Sequence, residues 1–169
     1  MTFDPFAAAL LGLVTLQRLS ELVFAKRNEA ALVARGGIEH AAGHYPLIVA
    51  LHAAWLAGLW WLAIDTRPAP IPVALYALAE VGRFWVLATL GRRWTTRIIT
   101  VPGETLIAQG PYRFIRHPNY AVVAAEILVL PLAFGLVAYA LVFSALNLVM
   151  TAMRIHAEEQ ALSSLGENT

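Results

Sequence analysis

Cysteine is absent from this sequence of 169 residues, and charged residues are scarce. The absence of cysteine excludes disulfide bonds, thiolate nucleophiles and cysteine metal ligands, and it leaves the redox compartment open. Only 14% of the residues are charged, whereas 59% are hydrophobic, and the mean hydropathy is +0.65. A soluble domain has about 25% charged residues. The composition therefore predicts an integral membrane protein, and the net charge of +1 provides no basic face for nucleic acid.

Three apolar stretches match the roughly 20 residues that a helix needs to cross a bilayer. The predicted helices cover residues 3–24, 45–64 and 71–90. The first stretch lacks the basic start and the small-residue cleavage site of a signal peptide, so we expect it to be retained as a transmembrane helix. No repeat or linker interrupts the chain, which predicts a single domain over residues 1–169.

A fourth apolar stretch, residues 120–150, is too long for a single crossing. Pro131 and Gly135 lie near its middle, where a proline and a glycine favour a turn. We therefore predict two helices, over residues 120–132 and 135–150, that form a helical hairpin. The fold class expected from the sequence is an all-α integral membrane protein with about five transmembrane helices, of which the last two form this hairpin.

Basic residues predict the orientation, because short cytoplasmic loops carry an excess of lysine and arginine. The loops after the first and third helices are rich in them, namely Lys26, Arg27, Arg35, Arg92, Arg93, Arg97, Arg113 and Arg116, whereas the loop 65–70 has only Arg67. Two polar segments then lie on the cytoplasmic side: the elbow, GPYRFIRHPNY (110–120), and the tail motif, RIHAEEQAL (154–162), in a predicted cytoplasmic helix over 151–165. The hairpin connects these segments and would bring them together.

The elbow and the tail motif carry polar groups that could bind a charged small molecule. Pro118 restricts His117 to an extended backbone, and Tyr120 begins the next helix. Arg154 and Glu158, at i and i+4, can face the elbow together. Arginines could hold a carboxylate, and carboxylates could bind ribose hydroxyls or an amino group. The alternative is that the arginines only mark topology and that Arg154 and Glu158 form a surface pair, but topology requires neither histidine nor carboxylates.

The combination of GPYRFIRHPNY, a helical hairpin and RIHAEEQAL resembles the isoprenylcysteine carboxyl methyltransferase family, whose members methylate lipophilic acceptors with S-adenosylmethionine. The resemblance extends to QRLSELVFAKRNEAALVARGGIEHAAGHYP (17–46), LGRRWTTRIITVPGE (90–104) and NLVMTAMRIHAEEQAL (147–162). This wider pattern is similar to a short bacterial branch that is associated with type III polyketide synthases and methylates alkylpyrones or alkylresorcinols. It implies the bacterial cytoplasmic membrane, a lipophilic acceptor in the bilayer and a functional association with such a synthase.

The resemblance also implies roles for individual residues. S-adenosylmethionine would lie in a cytoplasmic cofactor pocket formed by residues of the elbow and the tail motif, namely Tyr112, Arg113, His117, Pro118, Tyr120, Glu158 and Glu159. Arg154 and Arg116 would be the catalytic candidates, with Arg154 nearest to the reacting end. Many members continue with further aromatic residues that help to close the pocket, whereas this sequence ends at residue 169, so the mode of closure stays open.

The expected reaction needs little acid–base chemistry. Methyl transfer from a sulfonium is an in-line displacement, so positioning supplies much of the catalysis. A carboxylate or a 4-hydroxypyrone is already ionised, whereas a resorcinol would benefit from a base or from an arginine that stabilises the phenolate. We hypothesise that Arg154 steadies the acceptor oxyanion and that His117 hydrogen-bonds to the cofactor rather than acting as a base.

Other polar residues near the cytoplasmic interface are candidates for binding the acceptor, namely Arg18, Glu21, Glu39, His44 and Trp94. Structural pairing is the favoured alternative for Arg18 with Glu21, and for Glu80 with Arg83, because each pair is spaced i, i+3 and lies in a predicted span. Trp94 could instead attract the sulfonium by a cation–π contact or anchor the chain at the interface.

A zinc site is not expected. His40 and His44 have the i, i+4 spacing of helical metal ligands, but Gly43 lies between them and the sequence offers no clear third ligand.

Two other function classes fit parts of the sequence. NADPH-dependent membrane lipid reductases carry a similar RHPxY element, but the short chain and the EE pair of the tail motif favour the methyltransferase. A non-enzymatic scaffold or a transporter is disfavoured by the one-sided polar cluster and by the lack of an inverted repeat. Within the methyltransferase class, the acceptor is either an isoprenylcysteine carboxylate or a polyketide-derived enol or phenol, and the branch resemblance favours the second.

Overall fold

A computed structural model describes residues 3–105 and 107–166, with side-chain burial described through Ala161. The α-helices in these ranges are α1 (Pro5–Ala34), α2 (Tyr45–Ala63), α3 (Pro70–Leu90), α4 (Pro118–Ala133) and α5 (Val137–Gly166). Four of them are long and apolar enough to cross a membrane, and α4 is a shorter apolar helix. The prediction of an all-α membrane fold with about five helices is confirmed.

The hairpin between α4 and α5 forms where the sequence predicts it. Pro131 is accommodated in the last turn of α4, and Gly135 adopts a left-handed backbone with φ of 72°. The Leu136 amide donates to the Pro131 carbonyl at 3.1 Å, which closes the turn. The second helix then continues without a break to Gly166, so the predicted cytoplasmic helix over 151–165 is the second half of α5. Residues 167–169, where the sequence ends, lie outside the described residues.

The first helix extends well beyond its predicted end at residue 24. Helix α1 runs to Ala34, because residues 25–34 are mostly good helix formers, and Gly36, with φ of 84°, follows its end. The buried Asn28 side chain donates to the carbonyls of Gly91 and Trp94, at 3.1 and 2.7 Å. This contact fastens the C-terminal end of α1 to the chain that leaves α3.

A two-stranded antiparallel ribbon was not predicted. Strand β1 (Ile38–His40) pairs with β2 (Ile98–Thr100), with Glu39 opposite Ile99. The His40 Nε2 and Thr100 Oγ1 atoms are 2.7 Å apart, which adds a side-chain hydrogen bond to the ribbon. The ribbon joins the loop after α1 to the loop after α3 on the side of the bundle where the elbow lies.

The apolar core lies in the half of the bundle away from the elbow. Its buried members come from α1 to α4 and include Leu11, Trp55, Leu59, Ile127 and Leu130. Large apolar side chains also cover the outside of the helices; Trp61 is 82% exposed and Ile71 is 75% exposed. Such an apolar exterior is expected of helices that face lipid.

A cluster of polar and charged side chains lies inside the bundle, between α1, α3 and α4. We call it the charge cluster; its members are Gln17, Arg18, Glu21, Glu80, Arg83 and Glu126. Glu126 is 1% exposed and joins two guanidinium groups: Arg83 Nε donates to its Oε1 at 2.6 Å, and Arg18 Nη2 donates to its Oε2 at 2.7 Å. Mutual pairing of this kind is how ionisable groups are accommodated within a membrane bundle.

The charge cluster only partly follows the predicted pairs. Arg18 and Glu21 are paired at 2.9 Å, as their i, i+3 spacing predicts. Arg83 instead bonds to Glu126 on α4 and to Glu21 on α1, the latter at 3.2 Å. Sequence reasoning missed Glu126, although a lone carboxylate in a long apolar run was the signal that could have identified it.

Candidate functional site

The elbow is shaped by a tight turn between α3 and α4. Residues Gly110–Arg113 form a 3₁₀ turn, and Gly110 has φ of 57°. A Cβ at this glycine would collide with Thr89 of α3. Glycine is therefore required both by the positive φ and by the lack of space for a side chain. His117 has φ of −127° and ψ of 64°, outside the helical region as expected before a proline, and Pro118 begins α4.

The tail motif meets the elbow through Tyr120, as the hairpin predicted. The Tyr120 hydroxyl donates to Glu158 Oε2 at 3.0 Å, and it lies 3.4 Å from Arg154 Nε, which donates to it. The His117 ring faces two carboxylates of the tail motif. Its Nδ1 atom lies 3.6 Å from Glu158 Oε2, and its Nε2 atom lies 3.9 Å from Glu159 Oε1. Glu158 therefore bonds across the hairpin instead of forming the local pair with Arg154.

Arg154 is held by neutral groups only. Its Nη2 donates to the Thr96 carbonyl at 2.9 Å, and its Nε donates to Tyr120. In the part of the chain that the structure describes, no carboxylate lies within ion-pair distance of Arg154. Its positive charge is therefore oriented but not neutralised, which is the arrangement that attracts an anion.

These residues line a cavity of about 450 Å³, which we call the main cavity. Eight of the predicted site residues line it: Trp94, Tyr112, Arg116, His117, Tyr120, Arg154, Glu158 and Glu159. Two of the residues predicted to bind the cofactor do not line it: the Arg113 guanidinium lies 5.3 Å from the centre of the Phe114 ring, and Pro118 is buried in the first turn of α4. The elbow thus turns one of its two arginines toward the cavity.

The aromatic lining of the main cavity is neutral. Burial, together with the negative charge of Glu158, raises the pKa of the Tyr112 phenol above its usual range, so Tyr112 cannot serve as a base near neutral pH. Trp94 is 4% exposed and its ring stacks on Phe24, with ring centres 6.0 Å apart. The ring is part of a packed wall rather than an exposed interfacial anchor.

A second, much smaller cavity of about 10 Å³ adjoins the main cavity, and we call it the side cavity. Arg97, Ile98 and Arg154 line both cavities. The remaining lining comes from the ribbon and the start of α2, namely Glu39, His40, Ala41, His44 and Tyr45. In the described part of the chain, no group of three histidine, cysteine, aspartate or glutamate side chains is placed to hold a metal ion.

The predicted acceptor residues are thereby divided among three places: the side cavity, the main cavity and the charge cluster. Glu39 and His44 line the side cavity next to Arg154, and Trp94 lines the main cavity. Arg18 and Glu21 lie in the charge cluster, where other side chains of the bundle already occupy them. A contact between Arg18 or Glu21 and an acceptor stays a prediction.

The isoprenylcysteine carboxyl methyltransferase (ICMT) family model matches residues 72–164, which is more than half of the chain and includes both the elbow and the tail motif. The chain belongs to this family. The family resemblance inferred from the sequence is thereby confirmed, and membership assigns the protein to a class of membrane methyltransferases.

Similar proteins occur in two bacteria. The Bacillus subtilis (strain 168) protein titled "Uncharacterized protein YpbQ" is 35% identical over 166 residues, which cover 90% of this chain and 94% of the relative. An "Uncharacterized protein" of Haemophilus influenzae is 28% identical over 160 residues, with 88% and 90% covered. No solved structure gives a significant match to this chain.

The loop between β2 and the elbow forms one wall of the main cavity, and sequence reasoning missed it. Val101, Glu104, Thr105, Ile107 and Ala108 all line the cavity. Polar contacts hold the loop: Glu104 pairs with Arg93 at 3.0 Å and also with Arg35, and Arg93 donates to the Thr105 carbonyl at 2.8 Å. The stretch LGRRWTTRIITVPGE contains both Glu104 and Arg93, but the other partner, Arg35, lies just after α1.

We expect Glu104→Ala to loosen this loop. Each ion pair near the surface contributes up to about 1 kcal/mol, so losing both should speed amide exchange of the loop about fivefold or more. Hydrogen exchange followed by mass spectrometry would measure residues 101–105 and 107–109, with Glu104→Gln as the control that removes only the charge. Unchanged exchange in Glu104→Ala would show that the loop is held by its apolar contacts.

Proposed function

We propose that this protein transfers a methyl group from S-adenosylmethionine to an oxygen of a lipophilic acceptor in the bilayer. The acceptor that we propose is a long-chain alkylpyrone or alkylresorcinol hydroxyl. The observation that carries the proposal is the convergence of His117, Tyr120, Glu158 and the unneutralised Arg154 on one cavity of about 450 Å³. Small-molecule sites usually have volumes of about 300–1,000 Å³.

The residues at the elbow end of the main cavity fit the cofactor. Glu158 and Glu159 supply carboxylates that can accept hydrogen bonds from ribose hydroxyls or from an ammonium group. The Nε2 atom of His117 is buried and lacks a hydrogen-bond partner among the described residues, so it is available to a ligand. When bound, S-adenosylmethionine would supply an electrophilic methyl group on a sulfonium.

Arg154 would bind and orient the acceptor oxygen. Its contacts with Tyr120 and with the Thr96 carbonyl fix the guanidinium plane and leave further N–H groups unused. Donors that are oriented before the reaction stabilise an oxyanion without having to reorganise. Arg116, which also lines the main cavity, adds a second positive charge to the site.

The membrane setting supports a lipophilic acceptor. The helices beside the site present apolar side chains outward, so an alkyl chain could lie in the bilayer while its polar ring reaches Arg154. With the arginine-rich loops inside, the main cavity would face the cytoplasm of a bacterial cell, at the inner membrane. A type III polyketide synthase is the partner that we propose as the source of the acceptor.

The test is methyl transfer from isotopically labelled S-adenosylmethionine by the purified protein in nanodiscs. An alkylpyrone, an alkylresorcinol and a farnesylcysteine analogue are offered separately, with His117→Ala as the control. We expect label in a pyrone or resorcinol product and little in the variant. Label only in farnesylcysteine would overturn the proposed acceptor, and no label in any of the three would overturn the proposed function.

A further inference from the structure

The side cavity and the main cavity share part of their walls, including Arg154. Arg154 contributes to the walls of both, together with Arg97 and Ile98. A volume of about 10 Å³ is close to the minimum that holds one water molecule, which is about the space that a single oxygen substituent needs. Because both cavities are lined by Arg154, a group in the main cavity and an oxygen in the side cavity can contact the same side chain.

The polar groups of the side cavity are not all satisfied. Arg97 is paired with Glu39 at 2.6 Å, and this bond raises the pKa of the guanidinium, so the two charges offset each other. His44 differs, because its Nδ1 atom is buried and has no hydrogen-bond partner among the described residues. A buried polar atom without a partner destabilises the site, and a ligand oxygen hydrogen-bonded to it would remove that cost.

The backbone around His44 is held in an unusual conformation. Ala41, which also lines the side cavity, has φ of 52° and ψ of 40°, the left-handed region that residues with a Cβ rarely adopt. The ribbon on one side and the 3₁₀ turn Ala42–His44 on the other hold it there. Strain of this kind is often found where a side chain must be placed accurately, here the imidazole of His44.

We infer that the side cavity is an acceptor subsite, in which His44 binds a second oxygen of the acceptor ring while Arg154 binds the oxygen that is methylated. This inference rests on the proposed function and specifies its substrate class. The acceptor is a ring that carries two oxygens in a 1,3 arrangement, as in a resorcinol or a 4-hydroxy-2-pyrone. The two oxygens of a carboxylate are closer together and can both bind Arg154. A ring of this kind needs a second protein group beyond Arg154, and His44 supplies one in the wall of the side cavity.

The subsite predicts a selective effect of His44→Ala. The acceptors are an alkylresorcinol and a 3-alkylphenol with the same alkyl chain, which differ by the second oxygen alone. Loss of one hydrogen bond of about 1–2 kcal/mol should lower kcat/KM about tenfold for the resorcinol. For the phenol, kcat/KM should change less than about twofold, since the subsite is not used. The affinity for S-adenosylmethionine, measured by calorimetry, should not change.

Two amide variants serve as controls for folding and geometry. The amide nitrogen of asparagine lies near the position of the histidine Nδ1 atom, whereas that of glutamine lies near the position of Nε2. His44→Asn should therefore keep part of the resorcinol activity that His44→Ala loses, and His44→Gln should not. An equal loss on both acceptors, or no loss on either, would overturn the subsite while leaving the methyltransferase intact. If the wild-type protein methylates an alkylpyrone but neither of these acceptors, the same tenfold loss is expected for the pyrone in His44→Ala, and its absence would overturn the subsite. If the pyrone is not methylated either, the proposed function itself fails, and the subsite fails with it.

Discussion

Arg154→Ala should lower the rate of methyl transfer at least about a hundredfold, because removing one oriented oxyanion donor typically costs that much in kcat. Arg154 lines both cavities, has no carboxylate partner among the described residues, and is oriented by Tyr120 and by the Thr96 carbonyl. The measurement is single-turnover methyl transfer in nanodiscs at saturating cofactor. The effect should appear in the rate of the chemical step, with the affinity for S-adenosylmethionine changed only a fewfold.

Two further variants make the Arg154 prediction specific. Arg154→Lys keeps a positive charge but loses the planar donor pair, so it should retain part of the activity and fall between alanine and wild type. Arg92→Ala removes an exposed arginine of the same loop region that lines neither cavity, and it should retain full activity. Full activity of Arg154→Ala on every acceptor would exclude the proposed role of the guanidinium.

Arg83→Leu should have the largest effect on stability. The charge cluster has three carboxyl groups, on Glu21, Glu80 and Glu126, and two guanidinium groups, on Arg18 and Arg83. Without Arg83, the buried Glu126 loses two of its hydrogen bonds, and a single arginine remains for three carboxyl groups. Removing one partner of a buried ion pair costs about 3–5 kcal/mol, and we expect the free energy of unfolding to fall by that amount.

Reversible unfolding of detergent-solubilised protein by SDS would measure this loss. Arg92→Leu is the matched control: it makes the same substitution at an exposed site and should change the free energy of unfolding by less than about 0.5 kcal/mol. The double variant Arg83→Leu/Glu126→Leu removes both partners and should be more stable than Arg83→Leu alone. A loss as small as that of the control would mean that the cluster contributes nothing to folding.

The features predicted from the sequence are those that depend on local composition. The spans follow from apolar runs, and the hairpin follows from Pro131 and Gly135, which interrupt the last run. The meeting of the elbow and the tail motif follows in turn, because a hairpin places its two ends side by side. The end of α1 was placed too early because residues 25–34 are too polar to be part of a span, although they are good helix formers.

The features that were missed depend on contacts between distant parts of the chain. The i, i+3 spacing of Glu80 and Arg83 indicated a local pair, but Arg83 bonds to Glu126, which lies on another helix. The ribbon escaped prediction because three-residue strands carry little pattern and their partners lie about 60 residues apart. Arg113 was predicted to bind the cofactor and Arg116 to be catalytic, but only Arg116 lines the main cavity, because the elbow places the Arg113 guanidinium beside the Phe114 ring.

The most direct test of the account is calorimetric titration of the purified protein with S-adenosylmethionine, in parallel with NADPH. If the main cavity is the cofactor site, S-adenosylmethionine binds with one molecule per chain, and Glu158→Ala and His117→Ala each weaken this binding about tenfold or more, the equivalent of about 1.4 kcal/mol. NADPH should show no binding. Binding of NADPH with no binding of S-adenosylmethionine would contradict the account and favour a membrane lipid reductase.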